Sequence, residues 1–70
     1  MVQVSKDTFE KVISTMECDP DTESDADFDY KIYVTPDGET IGAITIEGDQ
    51  FTDYSLFGAA AQMVGDAVNA

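Results

Sequence analysis

Seven carboxylates alternate along one short stretch of this chain: Glu17, Asp19, Asp21, Glu23, Asp25, Asp27 and Asp29, with no base among them. Carboxylates in such a row can do two kinds of chemistry. They can accept charged hydrogen bonds from Lys and Arg, or they can ligate hard cations. A period of two is that of an extended backbone, in which alternate side chains share a face. An extended segment would space these acids by about 6.6 Å, at about 3.3 Å of rise per residue. That spacing is comparable with the step between phosphates along a nucleic-acid strand. Like charges in a row repel and contribute nothing to folding, so the pattern points outward, to a basic partner.

The cation reading fails at the level of a defined motif. An EF-hand loop beginning at Asp19 would place Ser24 and Tyr30 where glycine and a bidentate glutamate are needed. Loops beginning at Asp21, Asp25 and Asp27 put Ala26, Tyr30 and Ile32 at the glycine position. Weak, non-selective cation binding, or a regulatory interaction module built on it, stays open as an alternative. So does salt adaptation, because ten aspartates, five glutamates and three lysines suit a saline cytoplasm. Adaptation would spread the acids evenly, whereas residues 17–29 hold seven of the fifteen.

The residues needed for enzymatic chemistry are missing. The chain has no histidine, no Ser-His or Cys-His pairing and no glycine-rich phosphate loop. The single cysteine, Cys18, lies between Glu17 and Asp19, where neighbouring anions disfavour the thiolate. Its expected place is the partly buried end of a helix. The sequence predicts a protein that is not an enzyme and uses no cofactor or dedicated metal.

The elements that position the acids follow from periodicity. Val2 and Val4 form a short extended lead-in. Phe9, Val12, Ile13 and Met16 recur at helical spacing, and Ser5 is placed to cap a helix over about 5–17. Val4 and Phe9 then fall at the two positions of a hydrophobic staple. Asp19-Pro20 stops that helix, and residues of about 18–27 read as an acidic loop. A strand follows with Phe28, Tyr30, Ile32 and Val34 on an inward face and Asp29, Lys31, Tyr33 and Thr35 outward. Pro36-Asp37-Gly38 is a turn, and residues 39–47 form the partner strand. Ile41 and Ile44 have opposite parity, which predicts a bulge near Gly42-Ala43 or burial of both faces. Gly48-Asp49 turns again, and Gln50-Phe51-Thr52 suit a third short strand.

A last helix is predicted over about 53–68, capped by Thr52 or Asp53. Leu56, Phe57, Ala60, Met63, Val64, Ala67 and Val68 make its apolar stripe. Gly58, Ala59, Ala61 and Gly65 leave a thin side on which a sheet or a second copy of the chain can pack. The predicted fold is a single α+β domain over residues 1–70. It has two layers, an antiparallel sheet of two to three strands with the N-terminal and C-terminal helices on one face. Tyr33 and Tyr54 are either exposed aromatics beside the acids or ordinary packing.

A net charge of −12 repels nucleic acid and acidic membranes and attracts basic surfaces. No apolar run approaches the about 20 residues that span a bilayer, and an odd cysteine favours a reducing compartment, so a cytoplasmic protein is expected. In size, acidity and the alternating acids from Glu17 to Asp29, the chain resembles the small phage-encoded inhibitors that mimic nucleic acid, the anti-restriction and anti-CRISPR proteins. The resemblance implies that the acids occupy the phosphate-binding surface of a host defence enzyme, in the cytoplasm of a bacterial host. The expected partner surface comprises the seven ladder acids, extended by Asp37, Glu39, Glu47 and Asp49.

Overall fold

The computed structural model describes the backbone of residues 1–69 and the side chains of residues 1–64. The expected stripe positions Ala67 and Val68, and Gly65 of the expected thin side, lie outside the described side chains. The elements in chain order are β1 (Val2–Val4), α1 (Lys6–Ser14), β2 (Asp19–Ser24), β3 (Asp29–Val34), β4 (Thr40–Glu47), β5 (Gln50–Leu56) and α2 (Gly58–Asn69). The strands form one antiparallel sheet in the order β1-β5-β4-β3-β2. The α+β character is as expected, but the sheet has five strands where two to three were predicted. Among the described residues no helix is long and apolar enough to cross a membrane.

The N-terminal helix forms as its local signals dictate. Ser5 is extended, and its Oγ accepts the Thr8 N–H at 3.2 Å, which satisfies one orphan donor of the first turn. The helix ends at Ser14, three residues before the predicted stop. Ser14 Oγ donates to the Lys11 carbonyl and Thr15 Oγ1 to the Val12 carbonyl. These hydroxyls compete for the carbonyls that would continue the helix.

Two of the corrected strands come from pairing partners that are distant in sequence. β1 pairs with β5, Val2 opposite Leu56 and Val4 opposite Tyr54. That pairing holds residues 54–56 extended, so α2 begins at Gly58 and neither Thr52 nor Asp53 caps it. The acidic segment predicted as a loop is mostly β2, paired with β3 from Asp19 opposite Val34 to Ser24 opposite Asp29. Its acids face apolar or aromatic residues across the ladder, not other acids, so the pairing adds no cross-strand repulsion.

Both helices pack on one face of the sheet. Phe9 of α1 meets the Tyr33 ring edge-on at 5.7 Å and the Tyr54 ring at 5.5 Å. Phe9, Ile41, Ile44, Leu56 and Ala60 form the buried core. Gly42 is where α1 presses on the sheet: a Cβ there would lie 2.9 Å from Ile13 Cδ1 and 3.0 Å from Phe9. The register slips between Tyr33 opposite Gly42 and Val34 opposite Thr40, leaving Ile41 as the extra residue. This bulge lets Ile41 and Ile44 both enter the core despite their opposite parity.

The expected facing of β3 is reversed. Lys31 and Tyr33 lie on the helix side, opposite Ile44 and Gly42 of β4. Tyr30, Ile32 and Val34 therefore lie on the side that no helix covers. Ile32 is nonetheless only 6% exposed, screened by its neighbours in the sheet.

Candidate acidic docking surface

The first acids of the ladder are ordered by strand geometry. Directly opposed antiparallel residues share a face. Asp19, Asp21 and Glu23 oppose Val34, Ile32 and Tyr30, so all three acids stand on the helix-free face. All three are exposed. Strand geometry sets their Cα atoms about 6.6 Å apart along one margin of the sheet.

Asp25 extends the row through a turn. Its Oδ1 accepts the backbone N–H groups of Asp27 and Phe28, each at 2.8 Å, and its Oδ2 accepts the Tyr30 hydroxyl at 2.8 Å. These three donors hold its carboxyl below the ordinary aspartate range, the Phe28 and Asp27 amides first. The same hydrogen bond, with nearby acids, raises the Tyr30 phenol above its usual value. The contact fixes Asp25 on the face of Tyr30, with Asp19, Asp21 and Glu23.

The other ladder acids diverge. Asp29 lies on the opposite face, where its Oδ1 accepts the Ser24 hydroxyl at 2.7 Å. Asp27 sits in the turn between β2 and β3, and Glu17 precedes β2. A run of seven along one edge is thus reduced to four on one face. Of the outlying acids, Glu47 joins Asp25, Asp27 and Asp29 around a concavity of about 230 Å³ at the end of the sheet. Asp49 occupies the adjacent hairpin turn, opened by Gly48 at φ 63°. Asp37 lies in the β3–β4 turn at the far end of the sheet. Glu39 stands beside Gly58, at the head of α2, where the helix dipole favours an anion. Among the described residues no group of three acidic or thiol side chains is placed to hold a metal ion.

The outer edge of β2 is blunted against further strands. The Asp25 N–H donates to the Phe28 carbonyl at 2.9 Å and continues the β2–β3 ladder. Alternation from that pair turns the backbone groups of Pro20, Thr22 and Ser24 outward. Pro20 has no N–H, and the Thr22 N–H is taken by Asp21 Oδ1 at 2.8 Å. Both features blunt an edge. Recognition at β2 therefore falls to side chains rather than to main-chain pairing.

Sequence reasoning missed Asp53 and the apolar strip beside the acids. Tyr30, Ile32, Val34, Ala43 and Thr45 share the helix-free face, and Asp53 opposes Thr45 from β5. The signal that would have found them is Gly42. A glycine in mid-strand marks close approach of another element and so tells which face the helices take.

No family model matches this chain, and no curated protein or solved structure matches it.

Proposed function

We propose that this protein is a nucleic-acid-mimic inhibitor. It occludes the DNA- or RNA-binding surface of a host defence protein, such as a CRISPR effector or a restriction enzyme. One observation carries the reading: Asp19, Asp21 and Glu23 recur at strand spacing on a single face, exposed and opposed by no base. A Lys/Arg cluster built for a phosphate backbone meets in them a row of anions of similar repeat. The blunted outer edge of β2 supports it, since the acids are displayed on a margin that disfavours strand addition. Inhibition needs only steric and electrostatic occlusion, so the chain acts without catalysis or cofactor, in the cytoplasm of the bacterial host.

The test is capture from bacterial lysate with the tagged protein at about 0.15 M salt, where contact electrostatics survive screening. A triple variant, Asp19→Asn, Asp21→Asn and Glu23→Gln, is run in parallel, with competitor DNA added to both. Capture of a nucleic-acid enzyme that DNA displaces and the variant loses supports the proposal. Capture that neither change affects, or no capture by the wild type, sinks it.

A further inference from the structure

The helix-free face has a shape as well as a charge. Its centre is the strip of Tyr30, Ile32, Val34, Ala43 and Thr45 on β3 and β4, half-buried or buried although no element packs there among the described residues. Asp19, Asp21, Glu23 and Asp25 form one margin, and exposed Asp53 on β5 stands on the other. The three lysines are elsewhere: Lys31 faces α1, and Lys6 and Lys11 belong to α1. The charged side chains on the strands of this face are therefore all acidic. β2 and β5 are three strand spacings apart, about 14 Å. An α-helix with its side chains is about 10–12 Å across. The strip runs the length of β3, about 20 Å, or about 13 residues of helix.

We infer that this face seats an amphipathic basic helix of the partner, its apolar stripe on Tyr30, Ile32, Val34, Ala43 and Thr45 and its Lys/Arg flanks against the acids of β2 and Asp53. The inference rests on the mimic reading and narrows it to a partner whose nucleic-acid surface includes such a helix. A purely electrostatic mimic would need no apolar centre. A partner strand is disfavoured by the blunted edge of β2. A second copy of the chain would bring a further −12 against the same acids.

The probe is a designed peptide of about 18 residues, helical, with a Leu/Ala stripe flanked by Lys and Arg. A control peptide has the same composition scrambled so that no stripe forms. Each is titrated into the isotopically labelled full-length protein, and amide shifts and affinity are read by NMR. The variants are Thr45→Glu and Ala43→Glu, with folding checked by the dispersion of their own spectra. Both add an acid to the strip. Seating of the helix predicts that each variant binds about tenfold or more weakly, because an unpaired charge is buried under the stripe. It also predicts amide shifts centred on β3 and β4, and weaker binding of the scrambled peptide. Simple charge attraction predicts the reverse, with equal or tighter binding by the variants and shifts confined to residues 19–25. That result overturns the helix inference and leaves the mimic reading standing. Absence of binding by the helical peptide also overturns it, and the lysate capture then decides the mimic reading on its own.

Discussion

The Tyr30 hydroxyl donates to Asp25 Oδ2 at 2.8 Å, joining the start of β3 to the turn that leaves β2. This bond sets where the acid row ends. Tyr30→Phe removes one donor and leaves Asp25 held by the two amides of its own turn. The expected result is an intact fold with faster amide exchange at Asp27 and Phe28, measured by NMR.

The same site makes stability depend on pH at both extremes. The folded Asp25 carboxyl titrates below its unfolded value, so its contribution is complete above the ordinary aspartate range. It is lost as pH falls through the lowered folded value. Tyr30 titrates above its unfolded value, so its contribution is complete at neutral pH and is lost as pH rises through the raised value. Asp25→Asn keeps an oxygen for the turn amides but cannot titrate. The melting temperatures of wild type and Asp25→Asn should converge as pH is lowered through the range below about 4. A difference that stays constant there would show that the carboxylate contributes nothing to the turn.

Gly42 is an interhelix-to-sheet contact, and its substitution should be costly. Gly42→Ala puts a Cβ 2.9 Å from Ile13 Cδ1 and 3.0 Å from Phe9. Overpacking of this kind costs about 1–3 kcal/mol. Urea unfolding of the variant should show a lower midpoint at an unchanged slope. Adding Ile13→Val should recover part of the loss, because it removes the methyl that clashes.

Gly58 fails for a different reason. Its φ is +56°, which an L side chain adopts at a cost of about 1–2 kcal/mol. Gly58→Ala should lower the melting temperature, and Gly58→Asn should lower it less, since asparagine tolerates this region better. A stabilised Gly58→Ala would mean that α2 starts with a different backbone.

What was legible in the sequence was what short-range rules decide. The Ser5 cap, the staple of Val4 and Phe9, and the turns at Gly38 and Gly48 depend on residues a few positions apart. The opposite parity of Ile41 and Ile44 pointed to a bulge near Gly42-Ala43 or to burial of both faces, and the structure has the bulge, at Ile41. β2 was not legible, because Asp-Pro-Asp-Thr-Glu-Ser satisfies every local criterion for a loop. It is a strand only because β3 pairs with it. β5 was misread because Leu56, Ala60 and Met63 fit a helical stripe as well as Tyr54 and Leu56 fit a strand. Pairing with Val2–Val4 decided between them. The facing of β3 was inverted because the more apolar column was assumed to face inward. Phe9 packs edge-on against Tyr33 instead, and the apolar column is left for the outer face.

The acids themselves give the sharpest prediction, because function and stability should move in opposite directions. Asp19, Asp21 and Glu23 are exposed, and their spacing on one face makes them mutually repulsive. Replacing all three by Asn, Asn and Gln removes that repulsion and leaves the pairing of β2 with β3 in place. The variant should melt at the same temperature as the wild type or higher. Where the wild type binds a basic partner, the variant should bind more weakly and with a shallower dependence of affinity on salt, since fewer charges are matched. Replacing Asp37 by Asn, in the β3–β4 turn beyond the Asp19 end of the row, should weaken binding less than the triple change. Melting curves and binding isotherms across a salt series on these two variants separate the outcomes. If the β2 triple variant unfolds more easily and still binds fully, the acids serve the fold and not the partner. If the Asp37 variant weakens binding as much as the triple variant, the surface is a diffuse field of charge and the row on β2 has no special role.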